Sequence, residues 1–295
     1  MLLMVLPLHA LGVAVIWATV SERAKYFAVA LGLFAALRAW KRAPLVELLV
    51  EVTLWSMLVS TLVNLPIALC VRLPVPFADA AVKTLDARLG LDVSRASAFV
   101  AHHPRLAAFS SLAYVSLRPI DILTLYVPVL ARRPRWASEM FVALVLALGA
   151  TLAIMLSAQA IGPWVVSGVR PSERQREIEL VMRQIKHAPS FRLDLGDIPG
   201  FVAFPSWHVL LAMFSAFTIG RVRTLRTPCV IWALLVAIST LTTGWHYAVD
   251  VLSGVVVGCL ALLGSRALHR SWDRAETARR SAAVGEGGLK TVLSQ

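Results

Sequence analysis

Long apolar stretches alternate with short polar segments along most of this chain. Because an α-helix rises about 1.5 Å per residue, about 20 apolar residues cross the hydrocarbon layer of a bilayer. The apolar stretches predict spans at residues 1–20, 26–36, 45–71, 105–130, 136–161, 206–220, 228–243 and 246–263, of which 26–36 is the weakest. The pattern therefore predicts an all-α protein that forms a polytopic transmembrane helical bundle.

Two segments break the apolar pattern. Residues 72–104 contain prolines and charged residues that divide them into short amphipathic pieces, as in a connector lying across one membrane face. Within residues 162–203, Ser172 and Gln175 have the spacing of a capping box at the start of a helix. Apolar residues then recur at helical spacing, at Ile178, Val181, Met182 and Ile185. This loop therefore predicts an amphipathic helix resting on the membrane surface.

These patterns divide the chain into four predicted parts. Residues 1–71 form N-terminal transmembrane spans, and residues 72–104 form an interfacial amphipathic connector. Residues 105–265 form a membrane core that includes the hydrophilic loop 162–203, and residues 266–295 form a basic tail.

Composition and charge agree with a membrane location. Of the 295 residues, 58% are hydrophobic and only 16% are charged, which is too apolar for an ordinary soluble domain. The formal net charge of +12 comes from basic residues between the apolar stretches, so no nucleic-acid partner is expected. The positive-inside rule places the short basic loops and the tail in the cytoplasm, across a bacterial inner membrane or plasma membrane. The ends near residues 206 and 246 then face the extracytoplasmic side.

Two histidines and one aspartate interrupt the last apolar stretches. His246 and Asp250 are four residues apart, so on a helix the carboxylate can accept the imidazole N–H and make the other ring nitrogen more nucleophilic. His208 follows Pro205 and Ser206 at a predicted helix N-terminus, where free N–H groups favour a bound phosphate. These are the groups that phosphoryl transfer through a phosphohistidine requires.

Each of these residues also has a structural interpretation, because a single histidine in an apolar segment is usually a hydrogen-bonded packing residue. Ionisable groups inside a membrane are costly and tend to mark functional sites, which favours catalysis for His208, His246 and Asp250. Arg118 is expected near mid-membrane, either paired with Asp121 one turn away or in contact with a lipid headgroup.

Metal binding is not expected. The adjacent His102 and His103 would point about 100° apart on a helix, so they do not form a chelating pair. The odd number of cysteines, all in apolar stretches, implies neither a disulfide framework nor a metal site.

The two motifs around the histidines resemble those of the type 2 phosphatidic acid phosphatase superfamily, which read P-S-G-H and S-R-x5-H-x3-D. Here residues 205–208 read PSWH, and residues 239–240 read ST, followed after five residues by His246 and after three more by Asp250. The order and separation of the motifs match as well. The resemblance covers about residues 160–258.

Three positions depart from the superfamily pattern. Trp207 replaces the glycine of the second motif, and Thr240 replaces the arginine of the third. Both replacements are similar to the branch that contains inositol phosphorylceramide synthases and their bacterial relatives. The first motif, K-x6-R-P, is represented by Arg170 and Pro171, with Pro163 at the lysine position.

The resemblance implies a catalytic membrane core with the superfamily fold, plus extra N-terminal spans. His246 would attack phosphorus, Asp250 would orient His246, and His208 would protonate the leaving oxygen. No metal or cofactor would be needed. With no arginine at position 240, the phosphate would be held by other groups, and those proposed are Arg170, Arg192, Arg118 and Ser206.

Three functions follow as hypotheses. The first is a lipid phosphotransferase that moves a phosphate-bearing headgroup from a phospholipid or lipid-linked phosphate to an alcohol or ceramide-like acceptor. The second is a lipid or isoprenoid phosphate phosphatase, with water as the acceptor. The third is a non-catalytic membrane scaffold or transporter.

Overall fold

A computed structural model describes residues 12–41, 43–194 and 202–292, and every structural statement below concerns these residues. Two short strands, β1 (Val13–Val15) and β2 (Phe191–Leu193), pair in parallel, with Ala14 opposite Arg192. The helices are α1 (Trp17–Trp40), α2 (Pro44–Leu62), α3 (Asn64–Arg72), α4 (Asp79–Arg88), α5 (Val93–Ala101), α6 (Pro104–Val115), α7 (Leu117–Leu130), α8 (Pro134–Met155), α9 (Glu173–His187), α10 (Trp207–Ile219), α11 (Arg226–Thr242) and α12 (Ala248–Val292). Single 3-10 turns lie at Pro163–Val165 and Arg223–Leu225.

The structure confirms an all-α membrane bundle. Within the described ranges, four helical segments are long and apolar enough to span a bilayer, and they are Pro104–Leu130, Pro134–Met155, Arg223–Thr242 and Ala248–Arg279. Helix α10 is apolar but shorter, at 13 residues. The small β1–β2 sheet is an element that the apolar pattern did not predict.

Helix α10 lies at the centre of the core and packs against α7, α8, α11 and α12. Its buried Leu210 and Phe214 contact small residues of α8, Ala143 and Ala147, which allow close helix approach. The helix begins at a clear signal, because the Ser206 hydroxyl accepts a hydrogen bond from the Val209 N–H at 3.4 Å. The N-terminus of α10 is thereby fixed inside the bundle.

The predicted amphipathic helix exists as α9, with the capping box of Ser172 and Gln175 in place. We predicted that its apolar face would rest on the membrane surface, but this face packs inside the protein. Ile178, Met182 and Ile185 are buried in a cluster with residues of α3 and α8, because the polypeptide itself covers this face. Helix α9 is therefore part of the protein core.

The N-terminal part differs in detail from the predicted spans. Most of the predicted span 1–20 lies outside the described residues, and its described part contains β1 and the start of α1. The predicted span 26–36 lies inside the longer α1. The predicted span 45–71 is divided between α2 and α3, where Pro66 lacks the N–H that would continue the helical ladder.

The last helix is longer than the predicted span. Helix α12 extends past residue 263 and through the basic segment as far as Val292. The predicted connector, residues 72–104, contains α4 and α5, and α4 carries two buried carboxylates, Asp79 and Asp86.

Candidate active site

The structure brings His208 and His246 together. The Nε2 atom of His246 lies 3.3 Å from the Nδ1 atom of His208, within hydrogen-bond distance. His208 is the second residue of α10, and His246 lies in the turn before α12. The imidazoles therefore meet where two core helices begin.

The turn before His246 is built by local sequence signals. Gly244 adopts φ of 72°, the left-handed conformation that commonly ends a helix, and it terminates α11. The N–H groups of Trp245 and His246 then donate to the carbonyl oxygen of Thr240, at 3.0 and 3.1 Å. The chain therefore turns back on itself and directs His246 into the bundle.

Hydrogen bonds define the tautomer of His246. Its Nδ1 atom lies 3.0 Å from the carbonyl oxygen of Ala203 and 3.5 Å from Oδ2 of Asp250. Because a carbonyl oxygen can only accept, Nδ1 carries the proton and Nε2 keeps its lone pair. The His208 Nδ1–H then donates to that lone pair. Ala203 was not predicted from the sequence, because a backbone carbonyl leaves no residue-type signal.

Burial keeps His246 neutral. Its side chain is almost inaccessible, and desolvation lowers the pKa of the imidazole to about 4. The lone pair on Nε2 is thus available at neutral pH. A neutral, oriented imidazole is the state that a nucleophilic histidine needs.

Asp250 fixes the N-terminus of α12 as well as facing His246. Its Oδ2 atom accepts the Tyr247 N–H at 2.8 Å, and its backbone carbonyl accepts the Ser206 N–H at 2.9 Å. The second bond joins the PSWH turn to α12. A Cβ added to Gly254 would lie only 2.8 Å from the Ser206 carbonyl oxygen, so glycine permits this close approach.

An aromatic stack holds His208 in place. The rings of Tyr114 and His208 are stacked with centroids 4.4 Å apart, and Trp245 stacks on Tyr114 at 5.6 Å. Tyr114 belongs to α6, so this predicted span contributes a wall of the site. The role of Tyr114 was missed because its position in an apolar run resembles ordinary packing.

Two carboxylates of α4 anchor the backbone around the histidines. Asp86 accepts the N–H groups of Ala248 and Val249, both at 2.8 Å, and so caps the start of α12. Asp79 accepts the N–H of Gly162 at 2.9 Å and the hydroxyl of Tyr247 at 3.2 Å. Burial raises the pKa of Asp79, and these hydrogen bonds oppose that rise. The segment predicted as a surface connector therefore positions the site.

Loss of Asp86 is expected to destabilise the protein. Asp86→Ala leaves the buried N–H of Ala248 and the part-buried N–H of Val249 without partners, which costs about 2 to 4 kcal/mol in the free energy of unfolding. The measurement is an SDS unfolding titration in mixed micelles. Asp92→Ala is the matched control, since Asp92 caps α5 but is exposed, and its loss is expected to cost about 1 kcal/mol or less. Equal effects of the two substitutions would contradict the anchoring role of Asp86.

The proposed phosphate-binding arginines lie on the surface of the described part of the chain. Arg118, Arg170 and Arg192 have exposed side chains, and none forms a hydrogen bond or ion pair with the site within the described residues. The alternative pairing of Arg118 with Asp121 is not formed, because Asp121 instead accepts the Ser215 hydroxyl at 2.8 Å. Arg192 lies in β2. The predicted site residues that lie close together in the structure are His208, His246, Asp250 and Ser206.

A sequence model of the PAP2 superfamily matches residues 80–264, which is more than half of the chain. The chain belongs to the PAP2 superfamily. No curated protein and no solved structure matches it.

Membership of the PAP2 superfamily supports a phosphatase-type enzyme that acts on lipid or other phosphate-bearing substrates. The matched residues include both histidines, Asp250 and the anchoring Asp86. The PAP2 region thus begins in α4, so the segment predicted as a connector belongs to it in large part. The four candidate spans further support an integral membrane protein.

Proposed function

We propose that this PAP2 protein is a lipid phosphotransferase similar to inositol phosphorylceramide synthases. In this proposal it moves a phosphate-bearing headgroup from a lipid to an alcohol through a phosphohistidine on His246. The main support is the geometry of His246, whose Nδ1–H is held by Ala203 and Asp250 while the lone pair on Nε2 is directed towards His208.

In the first half-reaction, Nε2 of His246 attacks phosphorus. An N–P bond forms and the P–O bond to the lipid breaks. The leaving alkoxide takes a proton from His208, which becomes protonated when the anionic phosphate binds beside it. Positive charge that develops on His246 is stabilised by the buried Asp250 carboxylate through the Nδ1–H.

The second half-reaction reverses these roles. The acceptor alcohol gives its proton to the now neutral His208, and its oxygen attacks phosphorus. The N–P bond breaks, His246 regains its lone pair, and His208 is again protonated. Water in place of the alcohol would give the phosphatase reaction with the same groups.

The phosphoryl group has to displace the hydrogen bond between the two imidazoles. The 3.3 Å contact is a direct hydrogen bond and leaves no room for a tetrahedral phosphate between the rings. The structure thus corresponds to a resting pair, and substrate binding would separate the rings. The stack on Tyr114 gives the His208 ring a flat surface along which to move.

Charge on the phosphate would be met by the start of α10 and by Arg170. Thr240 stands at the position of the family arginine, so this position supplies no positive charge. Its hydroxyl donates to the carbonyl oxygen of Ala237 at 2.7 Å. Arg170 follows Val169, whose Cγ1 atom would lie 2.8 Å from a Cβ added to Gly244. This proximity brings the backbone at Arg170 to the turn that carries His246. Arg118, Arg192 and Ser206 remain predicted contacts.

A transfer assay tests this function. Purified protein is incubated with a phospholipid labelled with ³²P, with and without ceramide as an alcohol acceptor. The phosphotransferase is expected to move the label to ceramide. Label recovered only in water-soluble phosphate, either as the headgroup phosphate or as free phosphate, would contradict transfer and favour the phosphatase. If neither product formed in any condition, the scaffold or transporter class would be favoured.

A further inference from the structure

A groove lined by apolar side chains runs along α10, between α11 and α12. Its volume is about 550 Å³, within the range of cavities that hold a small ligand. It extends from Val209, next to His208, to Gly220, a distance of about 16 Å along a helix. The residues that line its length include Met213, Ala216, Phe217, Ala233, Ala237 and Val255.

The groove opens to the outside of the bundle. Helices α11 and α12 both pack against α10 but make few contacts with each other. Val230 and Leu234 of α11 line the groove and are exposed. In a membrane-spanning bundle, an apolar groove with this opening faces lipid chains.

A second cavity, of about 400 Å³, adjoins the groove at the end opposite the histidines. The two cavities share Arg221 and Arg266, and Arg226 lines the groove at the same end. Four guanidinium groups line the second cavity against one carboxylate, Glu139, and these arginines are Arg135, Arg221, Arg266 and Arg270. The guanidinium of Arg266 lies 4.5 Å from the Phe217 ring, where the apolar and basic surfaces meet. The basic cavity therefore carries excess positive charge beside an apolar groove.

We infer that the groove and the basic cavity bind one anionic phospholipid. An acyl chain lies along α10, and the phosphate headgroup contacts Arg226 and Arg266. Guanidinium groups bind phosphate through paired hydrogen bonds, which explains arginines at this end of the groove. The headgroup end of this site lies one helix length from His208, so the bound phosphate is separate from the reacting centre. Its occupant bridges α10, α11 and α12, the helices that position the site.

Native mass spectrometry of the full-length protein in detergent tests this site. Dioleoyl phosphatidylglycerol and dioleoyl phosphatidylcholine are titrated separately against the purified protein. Arg226→Gln combined with Arg266→Gln is expected to weaken phosphatidylglycerol binding by about 10- to 30-fold. This pair of substitutions leaves Glu139 with both of its partners, Arg135 and Arg221. It removes one hydrogen bond, from Arg226 Nε to the carbonyl oxygen of Gly220 at 3.4 Å, so the unfolding midpoint of the variant is measured alongside the titration.

The matched control combines Arg223→Gln with Arg274→Gln, which removes the same charge from exposed residues that line neither cavity. Its affinity for phosphatidylglycerol is expected to stay within twofold of the unaltered protein. Equal weakening by both pairs would overturn the site, because it would show general charge attraction only. Equal binding of the two lipids by the unaltered protein would also overturn it. That result would show that the arginines do not favour an anionic headgroup.

Leu234→Trp tests the groove apart from the arginines, because Leu234 lines the groove and its side chain is exposed. The larger side chain fills the middle of the groove while all basic residues remain. Binding of phosphatidylglycerol is expected to fall at least about tenfold. The unfolding midpoint is expected to stay nearly unchanged, because the substituted residue is exposed and not part of a packed cluster. Unchanged binding would show that no chain occupies the groove.

Discussion

Replacement of His246 by alanine is expected to abolish turnover, with a loss of at least about 10³-fold in kcat. Among the described residues, His246 is the group that places an oriented lone pair against His208, so no N–P bond can form without it. The measurement is the initial rate of ³²P transfer from labelled phospholipid, with ceramide as acceptor or with water alone.

Two further variants keep this test decisive. His246→Gln fills most of the space of the imidazole, so its inactivity together with a normal unfolding midpoint separates lost chemistry from lost folding. His102→Ala is the matched control, because His102 is exposed and its Nδ1 contacts only its own helix, at the carbonyl oxygen of Ala98. Full turnover by His246→Ala would contradict the phosphohistidine mechanism and favour a scaffold or transporter.

The covalent intermediate can be tested separately with His208→Ala. With p-nitrophenyl phosphate, whose leaving group needs little protonation, the variant is expected to form the N–P bond but to release phosphate slowly. Acid-labile, base-stable ³²P should then accumulate on the protein, and it should be absent from the double variant that also carries His246→Ala. Label that persists in the double variant would place the phosphoryl group on another residue.

Asp250→Asn is expected to lower kcat by about 100-fold with little change in KM. Asparagine can still accept the Tyr247 N–H, so α12 keeps its start, but the negative charge beside Nδ1 is lost. The expected effect is smaller than that of removing His246, because the Ala203 carbonyl continues to hold the Nδ1–H at 3.0 Å.

Asp273→Asn is the control for this substitution, since Asp273 lies on the same helix α12 but is exposed and pairs with Arg135. It is expected to keep the kcat of the unaltered protein. A rise in KM without a fall in kcat for Asp250→Asn would contradict its proposed role, because charge stabilisation of His246 acts on the chemical step. The two predictions for His246 and Asp250 thus separate the attacking group from the group that orients it.

Local sequence patterns determined the bundle and the central group of the candidate site. Apolar stretches set the core spans because only helices satisfy every backbone hydrogen bond inside a lipid bilayer. The capping box of Ser172 and Gln175 was readable because its partners are three residues apart. The proximity of His246 and Asp250 followed from their spacing, although His246 lies in the turn before α12 and not on the helix itself.

Contacts between distant residues were decided only by the tertiary structure. The carboxylate of Asp86 caps α12 across 162 residues of sequence, and no local spacing indicates such a partner. The spacing of apolar residues in α9 predicted contact with a membrane surface, but residues of α3 and α8 cover this face. The carbonyl of Ala203 holds His246, and a backbone group is the same for every residue type. Short-range patterns specify which elements form, whereas the packing of those elements selects the groups that meet at the site.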